Sequence, residues 1–157
     1  MNIKKIERRT AQLYDEGLYC AESVLQAVSE ASGHRCDSLP GIATGFCSGM
    51  ARTAGPCGAL SGAIMAFGLE SGRTGSGQSV ERTYSQVQRL IDEFENRFGF
   101  SNCGDLLNCH LGTVAGQERF REQRLAERCR SLTIGAAVIA AEIIEADRSA
   151  DDASKAS

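Results

Sequence analysis

The chain has no tryptophan, three tyrosines, two prolines and two histidines among its 157 residues. Aromatic residues total 6%, so any core must be built mainly from aliphatic and small side chains. No stretch alternates apolar and polar residues over a useful length, so the mark of half-buried strands is missing and helix periods dominate. Long apolar runs are missing as well. The most apolar stretch, Leu132 to Ile144, carries Glu142 and is shorter than the roughly 20 residues that span a bilayer. The segment Met1 to Arg9 is charged with no apolar stretch after it, so no secretory signal is expected. Basic charge is not in excess. Formal net charge is -3 and the pI is about 5.4, which argues against a nucleic-acid footprint. These absences lead to the expectation of a soluble, cytoplasmic protein that engages neither nucleic acid nor membrane.

What the chain has is cysteine: seven of them, an odd count. In a reducing compartment, cysteines point to metal binding or redox catalysis more than to structural disulfides. No two form a Cys-x-x-Cys pair, which excludes the usual thioredoxin, zinc-ribbon and ferredoxin spacings.

The helix pattern divides the chain. A first helix is expected from about Asn2 to Glu16, with Ile3, Ile6, Leu13 and Tyr14 on its inner side and Gly17 at its end. A second runs from Leu18–Cys20 to Ser32-Gly33. Residues 33 to 56, with Pro40, Gly41, Gly45, Gly49 and Gly55, read as a glycine-rich central loop. Pro56 suits the first turn of a third helix, Cys57 to about Glu70, whose small residues allow close backbone approach. The clearest helix runs from about Gln78 to Phe98. Val80, Tyr84, Val87, Ile91, Phe94 and Phe98 recur at helical steps, and Gly99 is its C-cap. A short turn, Asn102 to Asn108, a charged helix-prone segment, 117 to 127, and a last helix, about Glu127 to Ala146, complete the domain. Residues 147 to 157 lack apolar side chains and read as a disordered tail. The expectation is one all-α domain, residues 1 to 146, built as a single bundle of five or six helices.

Four cysteines share one local design. Cys20, Cys57, Cys103 and Cys129 each stand near an expected helix start, with an apolar residue three or four positions later. Helix N-termini favour negative charge. They therefore favour thiolate, the form that attacks and that binds metals, below the ordinary pKa of about 8.5. The four lie 37, 46 and 26 residues apart in turn, so only the fold can bring them together. Cys36 and Cys109 read as small buried hydrophobes or incidental thiols. Cys47 sits in a flexible setting that could put it beside Cys57. His34 and His110 read as surface or capping histidines, His110 being the better ligand candidate of the two.

The string Gly55-Pro56-Cys57-Gly58-Ala59-Leu60-Ser61-Gly62-Ala63, with Cys20 before it and Cys103 and Cys129 after it, resembles the C_GCAxxG_C_C family of small redox-active proteins. The likeness covers roughly residues 10 to 145. Cys20-Ala21-Glu22-Ser23-Val24 looks like its first block, and Cys103-Gly104-Asp105-Leu106-Leu107 and Cys129-Arg130-Ser131-Leu132 like its last two. A related domain occurs in split-Soret cytochromes, so the resemblance implies that an iron–sulfur cluster can be held here. The chain departs from the pattern by adding Cys36, Cys47 and Cys109, and it has no haem-attachment Cys-x-x-Cys-His.

Three functions remain open at this point. Cys20, Cys57, Cys103 and Cys129 could ligate an iron–sulfur cluster for electron transfer, with Gly58 letting the cofactor approach. Cys57 could be the nucleophile of a dithiol–disulfide cycle, resolved by Cys20 or Cys47. A zinc ion could staple the bundle as a structural or interaction module. Arg52 and Glu22 are the candidates for a group assisting Cys57. A redox protein is the expected partner, and a second copy of the chain is another. Whether the protein is an enzyme or a carrier stays open.

Overall fold

The structure, a computed structural model, describes residues 1–155. It is all-α. Among the described residues the only β pairing is one antiparallel bridge between Pro56 and Asn102. The helices are α1 (Ile3–Asp15), α2 (Cys20–Ala31), α3 (Cys47–Arg52), α4 (Gly58–Ser71), α5 (Glu81–Phe98), α6 (Cys103–Leu107), α7 (Val114–Glu122) and α8 (Ala126–Lys155), with a 3-10 segment at Gly41–Phe46. This exceeds the five or six expected, because the central loop and the residues after Gly112 contain short helical pieces.

Local chemistry sets the boundaries. The Asn2 side chain accepts the Lys5 N–H at 3.0 Å and caps α1. Glu22 accepts the Tyr19 N–H at 2.8 Å at the start of α2. Its other oxygen accepts the Thr44 hydroxyl at 2.6 Å, which ties the 3-10 segment to that helix end. Gly99 closes α5 in the left-handed region.

The core lies where α2, α4 and α8 meet, with α1 and α5 on its flanks. Val24, Leu25, Val28, Leu60, Phe67, Leu90, Phe94, Ile139 and Ile144 fill it. Large side chains are few, and alanines and glycines let helices approach. A Cβ on Gly62 would collide with the Ala21 carbonyl oxygen, so α4 crosses α2 at backbone contact. The buried stripe of α5 is rotated from the expected one. Gln86, Leu90 and Phe94 are buried, whereas Tyr84 is exposed. Gln86 can turn inward because it accepts the Ser71 hydroxyl at 2.7 Å and donates to Asp147 at 2.8 Å.

The last helix does not end near Ala146. It continues through Lys155, where the sequence predicted a disordered tail. Polar pairing replaces the missing apolar anchors. Arg148 grips Glu70 with two bonds of 2.9 Å, Asp147 binds Arg89 at 2.6 Å and Asp151 binds Arg82 at 2.7 Å. Residues 156 and 157 of the expected tail lie outside the described residues.

The central loop holds the least usual backbone. Ser48, Gly49, Met50 and Ala51 have φ of 57, 68, 53 and 54°, and Arg52 follows at 71°. α3 is therefore a left-handed turn, a conformation that costs L-residues roughly 1–2 kcal/mol each. The Gly49 carbonyl holds it, accepting the Thr53 N–H at 3.2 Å, the Thr53 hydroxyl at 3.0 Å and the Gly55 N–H at 3.1 Å.

Candidate functional site

Four helix starts bring the thiols together. Cys57 is the N-cap of α4 and Cys103 the first residue of α6. The Cys57 N–H donates to the Ser101 carbonyl and the Cys103 N–H to the Gly55 carbonyl, both at 2.8 Å. With the Pro56–Asn102 bridge, these bonds set the two cysteines side by side. Cys20 opens α2, and Cys129 stands in the first turn of α8. All four line one cavity of about 280 Å³, together with Gly58. Leu106, Leu107, Leu111, Phe120 and Leu132 make its walls apolar, while Tyr14, Gln117, Arg52 and Arg121 add polar groups.

The glycines make room for the sulfurs. A side chain at Gly58 would meet Cys20 Sγ, and one at Gly49 would collide with Cys103. Cys47 is buried but does not line the cavity; its thiol faces that of Cys20 and reaches the Ala43 carbonyl at 3.7 Å. The sequence suggested Cys47 beside Cys57; the Cys47 Cα lies 3.2 Å from where a Cβ on the adjacent Gly58 would stand, and its thiol is turned to the Cys20 end of α2. Cys109 lies near Cys103 without lining the cavity.

Electrostatics reverses one expectation. Burial pushes Cys57 up to about 11; the amides of Ala59 and Leu60 pull the other way and lose. Burial likewise raises Cys103 to about 11 and Cys129 to about 12, with neighbouring thiols adding to the effect. Burial also raises Cys109 and, more strongly, the Tyr14 phenol. Helix starts do favour thiolate, but desolvation by an apolar wall outweighs a partial charge. Free of metal, Cys57, Cys103 and Cys129 are held protonated at neutral pH.

The remaining candidates stand elsewhere. Cys36 is exposed, and hydrogen bonds from Ser38 lower its pKa. His34 lies 3.4 Å from Glu70, and His110 Nδ1 accepts the Gly112 N–H at 3.0 Å; neither lines the cavity. Glu22 is engaged by Tyr19 and Thr44, while Arg52 does line the cavity. Tyr14, Gln117 and Arg121 are cavity residues that the sequence does not single out. Helical spacing puts Tyr14 on the inner side of α1, but nothing local ties Gln117 or Arg121 to the thiols. Among the described residues, no group of three or more His, Cys, Asp or Glu stands close enough to hold a single metal ion.

The arrangement is that of a helical protein whose chemistry rests on convergent cysteines. Residues 18–143 match the family described as "Putative redox-active protein (C_GCAxxG_C_C)", and the chain belongs to that family. It is also 27% identical over 140 residues to a protein of Archaeoglobus fulgidus named only as uncharacterized, a match covering 83% of this chain and 92% of that one. No solved structure matches.

Proposed function

We propose that the protein carries electrons on an iron–sulfur cluster ligated by Cys20, Cys57, Cys103 and Cys129. The observation that carries this reading is the convergence of four thiols, from four helix starts, on one cavity without a carboxylate. The donor set fits. Tetrathiolate sites suit iron–sulfur or zinc, and a bound metal deprotonates a thiol that burial alone keeps protonated. A single zinc ion needs four sulfurs each about 2.3 Å from it. A cluster spreads its thiolate ligands over more than one metal atom and so accepts more widely spaced sulfurs than a single zinc ion does. Gly58 leaves room beside Cys20 and Cys57. The cluster would supply one-electron chemistry, while the chain's own part is to ligate it, exclude water with leucines and phenylalanine, and insulate it. A redox protein would exchange the electrons, in a reducing compartment such as the cytoplasm. No helix among the described residues is long and apolar enough to cross a membrane.

One observation favours a second reading, a dithiol–disulfide cycle: the Cys47 thiol faces Cys20. The sequence paired Cys57 with Cys20 or Cys47, whereas the contact favours Cys20 with Cys47. Purification without oxygen separates the two readings. Visible absorption with stoichiometric iron and acid-labile sulfide, lost in Cys57→Ser and kept in Cys36→Ser, is the expected result. A colourless, iron-free protein that forms one internal disulfide would overturn it in favour of the cycle.

A further inference from the structure

The thiol cavity is cationic in a protein that is acidic as a whole. Of its 18 lining residues two are arginine and none is Asp or Glu, although the chain has 20 acidic residues. Arg52 comes from the left-handed turn and Arg121 from α7. Neither guanidinium makes an ion pair or hydrogen bond among the described residues. Elsewhere Arg9, Arg82, Arg89, Arg97, Arg130 and Arg148 all pair with carboxylates. Arg119, two residues before Arg121, keeps a buried Nε without a partner among the described residues, and its charge acts on the Cys109 thiol. Arg52 and Arg121 thus bring unneutralised positive charge to the lining of one cavity with apolar walls. A guanidinium presents a planar fork that matches the oxygens of a carboxylate or phosphate.

The covering element is lightly held. Gly116 is the only buried residue of α7, and this helix packs extensively against no other. Yet its Gln117, Phe120 and Arg121 line the cavity. α7 thus carries one of the two arginines that line the cavity.

We propose that this cavity binds an anion, with Arg52 and Arg121 holding the oxyanion group of a small molecule beside the thiols and against α7. The ligand is a small carboxylate- or phosphate-bearing compound that fits within about 280 Å³. The inference goes beyond the electron-carrier reading and does not need the cluster, since the cations and the cavity belong to the chain itself.

The test uses the full chain, reduced and freed of metal, in a Cys36→Ser background that removes the exposed thiol. Its cysteines are titrated with two disulfide reagents, the anionic dithiobis(nitrobenzoate) and the neutral dithiodipyridine. The anionic reagent is expected to react roughly tenfold more slowly in the Arg52→Gln, Arg121→Gln double variant, with the neutral reagent unchanged. Arg52→Lys, which keeps the charge, should retain most of the parent rate, and added salt should slow only the anionic reagent. Inorganic phosphate and succinate are then compared as protectants, and the stronger one distinguishes a phosphate ligand from a carboxylate. Equal slowing of both reagents in the double variant, or no protection by either anion, would overturn the proposal. Iron content does not enter these readouts, so a failed cluster reading leaves the test intact.

Discussion

A Cβ placed on Gly58 would stand 2.5 Å from the sulfur of Cys20. It would also meet the Phe46 carbonyl oxygen at 2.8 Å and the Cys47 Cα at 3.2 Å. One hydrogen in place of a side chain thus holds open the meeting point of α2, α4 and the 3-10 segment. Gly62, one turn on, faces only the Ala21 backbone. In an open helix Gly→Ala stabilises by about 0.4–1 kcal/mol. Here both substitutions should destabilise instead, by roughly 1–3 kcal/mol, because backbone atoms obstruct the new methyl. They should differ at the sulfur. Gly58→Ala displaces Cys20 and changes thiol reactivity and metal content, whereas Gly62→Ala lowers the melting temperature and leaves the thiols as they are. Identical thiol behaviour in the two variants would refute this division.

Gly49 serves Cys103 as Gly58 serves Cys20. Its φ is 68° and a Cβ there would collide with the Cys103 side chain. Gly49→Ala therefore incurs both left-handed strain and a clash, and should cost more stability than Gly62→Ala. Because Gly49 also accepts three hydrogen bonds of the turn, Arg52 should shift with it. Protease nicking between residues 48 and 54, faster than in the parent at equal temperature, would show the turn loosened. Unchanged nicking together with an unchanged melting temperature would contradict this.

These two glycines mark what the sequence disclosed and what it did not. The glycine-rich centre was legible as a loop, and Pro56-Cys57 as a helix start, because both follow from single-residue backbone preferences. The convergence of Cys20, Cys57, Cys103 and Cys129 could be expected from their shared local design, although their spacing along the chain does not encode it. The left-handed turn was hidden, since Ser48, Met50 and Ala51 have no intrinsic preference for positive φ. The raised thiol pKa values were hidden for a related reason. A helix start is visible in sequence, but the apolar wall that outweighs it is assembled from α6, α7 and α8. The length of α8 was missed because its last turns are held by Glu70, Arg82 and Arg89, partners from distant segments.

Those distant partners make a measurable claim. Arg148→Ala removes a two-bond contact to Glu70, a carboxylate that stays largely buried. Amide exchange over residues 147 to 155 should accelerate while that of Leu132 to Ile144 stays slow. Loss of protection along the whole of α8 would mean instead that the ion pair supports the entire helix.

Cys36 is the chain's exposed thiol, and the Ser38 amide and hydroxyl favour its thiolate. The cavity thiols Cys57, Cys103 and Cys129 are shifted the other way. Alkylation of the metal-free protein with iodoacetamide at neutral pH should show one fast equivalent, followed by slow phases. Cys36→Ser should abolish the fast phase and leave metal content unchanged. A fast phase that survives, or metal lost with Cys36, would assign this residue a place in the site.

Stability should depend on pH with a sign that reports whether the cavity holds metal. In the unfolded chain each thiol titrates near 8.5, within about a unit. In the folded, metal-free chain Cys57 and Cys103 titrate at about 11 and Cys129 at about 12. Below about pH 8.5 both states keep these protons, so the thiols contribute no slope. Between about pH 8.5 and 11 the unfolded state has lost protons that the folded state retains, and stability falls as pH rises. The loss attributable to Cys57 alone is on the order of 2–3 kcal/mol at the upper end. Melting temperature of the metal-free chain should therefore be level to about pH 8.5 and decline above it, and Cys57→Ala should flatten the decline. Metal ligation reverses the argument. Ligated thiolates carry no proton, while the unfolded thiols do below about pH 8.5, so stability of the loaded chain should rise with pH in that range. The two forms would then show opposite trends in separate windows. A metal-free chain that gains stability from about pH 8.5 to 11 would show that burial does not govern these thiols.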